Sequence, residues 1–253
     1  MDKAQKEQEY FLSGIRNLFA LCEKQGCPKF SAFLTEEQQA SIQPVVKKLA
    51  AGGYQVLFWG GYPEAQRKIL GVFPDYIPSD PADFPLVGYT ASFPEAYALS
   101  HRDVLGTLMG QQIRRETIGD IVVQPGKAVI FAEERVEKVL GTQISRIGGV
   151  GVRMEKGFVP FTVAQQFAQR SGTLASLRLD AAVAFCAGLS REKAAALIAA
   201  GLCSLNHLEK KEQSAPVSQG DILVIRGKGK FRLETISGPT RKGRIGVTFL
   251  QYL

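Results

Sequence analysis

Arg178, Arg191 and Lys193 place cations where two short helices are expected to begin, and Ser190 adds a hydroxyl at the start of the second. Residues 176–206, SLRLDAAVAFCAGLSREKAAALIAAGLCSLN, define those helices. Ser176 is the expected N-cap of the first and Gly188 its stop, while Ser190 caps the second and Gly201 ends it. Leu179, Val183 and Cys186 form one apolar stripe; Ala194, Leu197 and Ile198 form another. A strand over 202–205 and a turn at Asn206-His207 follow. Cations in a first helical turn oppose the positive end of the helix dipole, at about 0.3–1 kcal/mol each. Helical N–H groups with added cations suit an anion, phosphate above all. A solvated basic face without a ligand fits the same residues equally well. Asp180 is expected to orient the cations around it rather than to touch the anion.

The charge distribution bears on that choice. The chain has 253 residues and a formal net charge of +7. Residues 176–253 carry twelve Lys and Arg against six Asp and Glu, whereas residues 1–175 carry nineteen against eighteen. Clustered positive charge in one segment is the electrostatic footprint of a nucleic-acid binder, although an acidic protein or an anionic membrane surface would also match it. The segment RGKGKFRLE extends the basic surface. Lys228 lies in a glycine-rich turn, and Lys230 and Arg232 alternate with Phe231 and Leu233 along a strand, giving one cationic and one apolar face.

The rest of the chain must position these groups. Tyr10, Phe11, Ile15, Leu18, Phe19 and Cys22 fall at helical spacings. A second helix is expected from Thr35 to Ala50, with Pro44 either kinking it or dividing it in two. Residues 54–59 read as a strand with Trp59 in the core, and 64–70 as a short helix. Pro74, Pro78 and Pro81 mark 71–83 as a connection between domains. From residue 84 the order is strand, helix from Ser100 onward, a hairpin across 124–127, helix over 133–141, and a strand over 150–154. That is the βαββαβ order of ferredoxin-like and RRM domains, without the aromatic row that RRM sheets use to stack bases. Arg114 and Arg115 are expected to close the first of those helices, and Asp103 to cap it. His101-Arg102-Asp103 matches a kinase tripeptide, but the phosphate loop and metal-binding motif that would accompany it are missing. Residues 162–169 can add a further helix or strand.

No apolar run reaches the length of a membrane span, and the N-terminus has no signal-peptide core. Cys22, Cys27, Cys186 and Cys203 lack the spacing of a zinc site or a disulfide framework, so a reduced, cytoplasmic setting without metal or cofactor is expected.

Two resemblances add to this reading. Arg178-Leu179-Asp180, Leu189-Ser190-Arg191, Ile198, Gly201 and Asn206 together resemble the alpha-L (ribosomal protein S4-like) RNA-binding module. The runs GGYPEAQRK and HRDVLGTLMGQQIRRETIGDIVV, with that module downstream, resemble the bacterial YlmH family across nearly the whole chain. The resemblance implies an α+β protein in three parts: an N-terminal α/β domain at 1–80, an RRM-like middle domain at 81–165, and an alpha-L domain at 176–253. It further implies a monomeric, non-enzymatic protein that binds rRNA and tRNA on the large ribosomal subunit and helps rescue stalled peptidyl-tRNA complexes. The expected RNA contacts are Arg178, Asp180, Ser190, Arg191, Lys193, Asn206, Lys228, Lys230 and Arg232. An RNA-modifying enzyme, a pseudouridine synthase or methyltransferase relative, is the main alternative, and a cell-division scaffold another. Against an enzyme, Gly148-Gly149-Val150-Gly151 lacks the strand-to-helix setting of a dinucleotide loop.

Overall fold

The computed structural model describes residues 3–158, 161, 167–241 and 243–253. The chain divides into two compact units, Met1–Val163 and Ala164–Leu253.

The first unit opens with α1 (Lys3–Gln25), β1 (Lys29–Leu34), α2 (Glu36–Ala50), β2 (Tyr54–Trp59) and β3 (Lys68–Pro74). Ile15, Phe19 and Cys22 line the buried stripe of α1. Tyr10 is 84% exposed, because it lines up with Ser13, Gly14 and Asn17 on the polar side. Thr35 and Gln38 form a capping box that starts α2, and the helix runs on through Pro44 as one element. β3 corrects the expected helix at 64–70 and takes residues 71–74 from the expected connection at 71–83. It is the central strand of an antiparallel sheet ordered β1-β3-β2. Its continuous apolar run is that of a strand covered on both faces, which spacing alone does not separate from a helix. Leu70 and Val72 face α1 and α2, and the alternate residues Ile69 and Phe73 face a second cluster.

That second cluster joins the first half of the unit to the next. There follow β4 (Leu86–Ser92), α3 (His101–Gly110), β5 (Ile118–Gln124), β6 (Lys127–Glu133), α4 (Glu137–Thr142), β7 (Arg146–Ile147), β8 (Val150–Gly151) and β9 (Arg153–Lys156). The main sheet is ordered β5-β6-β4-β9, the ferredoxin-like arrangement of a βαββαβ unit. Ser100 and Asp103 cap α3 reciprocally, and the Ser100 bonds hold the Asp103 carboxyl below its ordinary pKa. The helix stops at Gly110, so Arg114 and Arg115 lie beyond it, Arg114 extended and Arg115 opening a single 3-10 turn, rather than in its last turn. Tyr89, Ala91, Ala128 and Ile130 face α3 and α4. Val129 and Phe131 point the other way, into a cluster with Phe33, Tyr62, Ile69 and Phe73. Trp59 packs, partly buried, against that cluster. The sheet face on which RRM domains stack RNA bases is therefore covered by the chain's own N-terminal residues. Gly61, at φ +102°, permits this approach: a Cβ there would lie 2.3 Å from the Phe131 ring.

The second unit contains β10 (Phe167–Leu174), α5 (Leu179–Ala187), α6 (Arg191–Ala199), β11 (Cys203–Leu205), β12 (Leu208–Glu209), β13 (Ile222–Ile225), β14 (Gly229–Pro239) and β15 (Ile245–Tyr252). One sheet, ordered β10-β15-β14-β13-β11-β12, carries both helices on one face. Leu179, Val183 and Cys186 of α5 and Ala194 and Ile198 of α6 are buried against Leu223, Ile225, Phe231, Leu233 and Phe249. Of the element expected over 162–169, residues 162–166 lie outside the described residues, and from Phe167 onward the chain is strand. No helix among the described residues is long and apolar enough to cross a membrane.

Phe131→Ala should destabilise the first unit by about 3–5 kcal/mol, the usual cost of emptying an aromatic core position. Urea unfolding followed through Trp59, the chain's single tryptophan, checks this. An unshifted midpoint would show that the cluster between the two sheets contributes little.

Candidate nucleic-acid interface

The starts of α5 and α6 meet at one carboxylate. Arg178 occupies the N-cap position of α5, and its side chain makes no cap hydrogen bond. Ser176 is not the cap, contrary to expectation. A neighbouring loop supplies the acceptors instead: Leu179 N–H donates to the Ala215 carbonyl at 2.8 Å and Asp180 N–H to the Gln213 carbonyl at 3.0 Å. The first two N–H groups of the helix are thus satisfied by backbone and the third by Asp180 Oδ1, so the anion-binding capacity there belongs to side chains. Gly188 ends α5 in the left-handed conformation at φ 65°, with Leu189 N–H returning to the Ala184 carbonyl. That tight stop brings Ser190 round to begin α6, where its hydroxyl accepts from Lys193 N–H at 3.3 Å.

Asp180 is buried, with 8% of its side chain exposed. Its Oδ1 accepts from Ala181 N–H at 2.8 Å and Arg178 Nε at 3.3 Å. Its Oδ2 accepts from Arg178 Nη2 at 3.2 Å and Arg191 Nη2 at 2.7 Å. Burial pushes the carboxyl pKa up, but the Arg178 and Arg191 bonds and the Ala181 N–H outweigh it, and the net shift is downward. The two guanidinium side chains remain 44% and 55% exposed. Each arginine has five N–H donors. Arg178 commits Nε and Nη2 to Asp180 and Arg191 commits Nη2, so both keep donors turned to solvent. The trio has one net positive charge, and Lys193 stands exposed in the same first turn of α6.

The other expected contacts lie apart from this cluster. Phe231 and Leu233 of β14 are buried beneath the helices, so Lys230 and Arg232 project from the opposite face of the sheet. There Lys230 Nζ lies 5.1 Å from the Tyr252 ring centroid, and Arg232 lies 5.7 Å from that of Phe167 while pairing with Glu234 at 2.7 Å. Lys228 is exposed in the turn before β14. Asn206, at φ 50°, ties the β11–β12 turn to the start of β13: its Nδ2 donates to Asp221 at 2.8 Å, and its Oδ1 accepts from Ile222 N–H at 2.9 Å. Sequence reasoning missed Phe167 and Tyr252, which are paired across β10 and β15 and stacked edge to face. Only the strand register brings them beside the β14 cations. Among the described residues, no group of three or more His, Cys, Asp and Glu side chains could hold a metal ion.

Comparison with known proteins places the chain. It is 30% identical over 247 residues, 96% of its length and 95% of the relative's, to the "Ribosome-associated protein quality control protein P2" of Bacillus subtilis (strain 168). The chain belongs to the YlmH family. Residues 79–159 match a family model described as "Putative RNA-binding domain in YlmH". The fold is also shared with a solved structure, "Cell division protein ylmH from Streptococcus pneumoniae", at 22% identity and a TM-score of 0.51, covering 60% of this chain and 91% of that one. The YlmH family model falls on the βαββαβ unit, whose broad sheet face is covered here, and not on the helix starts of the second unit.

Asp180→Asn should cost about 1–3 kcal/mol at neutral pH, because it weakens hydrogen bonds from two charged partners inside a buried site. The folded-state pKa of Asp180 is depressed, so its contribution is complete above the unfolded value of about 3.9 and fades as the pH falls through the folded value. The gap between wild type and variant should therefore narrow below about pH 4. Denaturant unfolding at a series of pH values tests this. A gap that stays constant to pH 2 would remove the carboxylate from its assigned part.

Proposed function

We propose that this protein binds structured ribosomal RNA on the large subunit, as a non-enzymatic factor in quality control of stalled complexes that still hold peptidyl-tRNA. The observation that carries this reading is the pair of half-exposed guanidinium groups held by buried Asp180 across two helix starts. Such a pair is pre-organised, so less side-chain freedom is lost when it meets phosphates than for arginines on a loop. The name of the Bacillus subtilis relative and the family description over residues 79–159 support association with the ribosome and with RNA. Arg178, Arg191 and Lys193 would contact backbone phosphates, with the Ser190 hydroxyl beside them. Contacts of that kind position a protein without reading sequence, so folded RNA would be recognised by shape. Lys228, Lys230 and Arg232 would meet a different part of the RNA, since the sheet separates them from the helix starts.

Truncating both arginines to alanine would leave Asp180 buried and unpaired, at a cost of about 3–5 kcal/mol. Glutamine keeps a donor and removes the charge. Arg178→Gln combined with Arg191→Gln should weaken binding to purified large subunits and flatten the log–log salt dependence by about 1.8, the counterion release of two phosphate contacts on duplex. Sedimentation binding across a salt series, with circular dichroism to confirm folding, makes the comparison. Equal affinity and equal slope for variant and parent would mean that the contact surface lies elsewhere.

A further inference from the structure

A second cationic site lies in the first unit. Residues 62–67, the start of α3 and the edge strand β5 enclose an open cleft of about 330 Å³, whose polar lining is Tyr62, Gln66, Arg67, His101, Arg115 and Asp120. Arg67 and Arg115 converge on one oxygen there: Arg67 Nε donates to the Ile118 carbonyl at 2.9 Å and Arg115 Nη1 to the same carbonyl at 2.8 Å. Arg67 Nη2 also reaches the carbonyls of Phe33 and Arg115, each at 3.3 Å. Two guanidinium groups are therefore fixed side by side by neutral acceptors. Neither is ion-paired among the described residues, and Glu116 pairs with Arg114 instead.

Asp120 is the carboxylate of the cleft, and its lone pairs are committed elsewhere. Its Oδ2 accepts from the Tyr62 hydroxyl and Gln66 N–H, both at 2.7 Å, and its Oδ1 accepts from Arg67 N–H at 3.0 Å. Those bonds close the 62–67 loop and leave the arginines facing the cavity. Burial and then the neighbouring Arg115 push the Arg67 pKa down to about 10, and the same two causes lower that of His101. An anion would offset the Arg115 contribution to both.

The backbone is shaped to expose this site. The β5–β6 register shifts between Ile118 and Ile121, the mark of a bulge, and β5 is an edge strand of its sheet. Gly119 lies in that bulge, where a Cβ would meet the Phe33 ring at 2.6 Å. The broad face of the same sheet is covered by Phe33, Tyr62, Ile69 and Phe73. An RNA-binding domain of this topology that cannot use its sheet face needs another surface.

We infer that this cleft binds a phosphate group, gripped by Arg67 and Arg115 with His101 at its mouth. Arg67 keeps Nη1, and Arg115 keeps Nε and Nη2, for that phosphate, which could come from an RNA strand or from a free nucleotide. Arg67 also ties three backbone segments together, so the site is tested through Arg115 and His101.

Full-length protein is titrated with a short single-stranded RNA carrying a 5′-phosphate, with the same RNA lacking it, and with uridine 5′-monophosphate. Binding is read from backbone amide shifts of residues 62–67 and 118–123. The phosphorylated RNA should shift these amides, and Arg115→Gln should weaken that binding by about tenfold or more, the loss of one charge-assisted bond. His101→Gln should weaken it by less. Arg178→Gln combined with Arg191→Gln should leave these shifts unchanged, which separates this site from the helix-start cluster. Uridine monophosphate giving the same shifts assigns the site to a nucleotide; silence from it assigns the site to an RNA strand. If no phosphate-bearing probe moves these amides at millimolar concentration, or if folded Arg115→Gln binds as the parent does, the inference fails.

Discussion

A single buried carboxylate organises the two arginines at the helix starts of the second unit. Two arginines at adjacent helix starts would repel each other and the helix dipoles, and each would sample many rotamers in water. Asp180 removes both difficulties at once. It accepts from Arg178 in a fork and from Arg191 at 2.7 Å, and its own burial is compensated by those bonds and by the Ala181 N–H. Such an arrangement adds little net stability over an apolar core, but breaking it by removing one partner is costly. Its value is geometric: two half-exposed forks are held in one place, each with donors still turned outward.

The same economy of covered faces runs through the first unit. β3 is sealed by α1 and α2 on one side and by the second sheet on the other. The βαββαβ sheet is likewise sealed, by α3 and α4 on one face and by the N-terminal residues on the other. The sheet keeps two edges, β5 and β9, and it is at β5 that the backbone bulges and two guanidinium groups gather. The architecture therefore moves polar chemistry from the sheet face to the sheet edge and to the helix starts.

Much of this was legible in the residues, for local reasons. Caps are read from one or two side chains: Thr35 and Ser190 act as the expected N-caps, whereas at α3 Ser100 takes the N-cap and the expected Asp103 the reciprocal place three residues on. The hairpin across 124–127 and the βαββαβ order followed from turn residues and alternation. The failures were non-local. β3 was misread because a strand buried on both faces has no period, and its companion β1 went unseen beside it. Ser176 lost its capping part to carbonyls of Gln213 and Ala215, more than thirty residues downstream. Of the contact set, Asp180 and both arginines proved to be neighbours because one short helix pair carries them. Lys230 and Arg232 fell on the other face of the sheet, which depends on the pairing of β14 with its neighbours. The Arg67 and Arg115 cleft was invisible, since its members come from separate elements and meet only through the carbonyl of Ile118.

The most direct test of the organising carboxylate is the affinity of Asp180→Asn for purified large ribosomal subunits, measured at moderate salt and well below its unfolding temperature. That substitution removes a negative charge from a basic face, so simple Coulomb attraction predicts tighter binding. If Asp180 acts by holding Arg178 and Arg191 in place, affinity should fall several-fold despite the added positive charge. An unchanged or increased affinity in the folded variant would contradict the account.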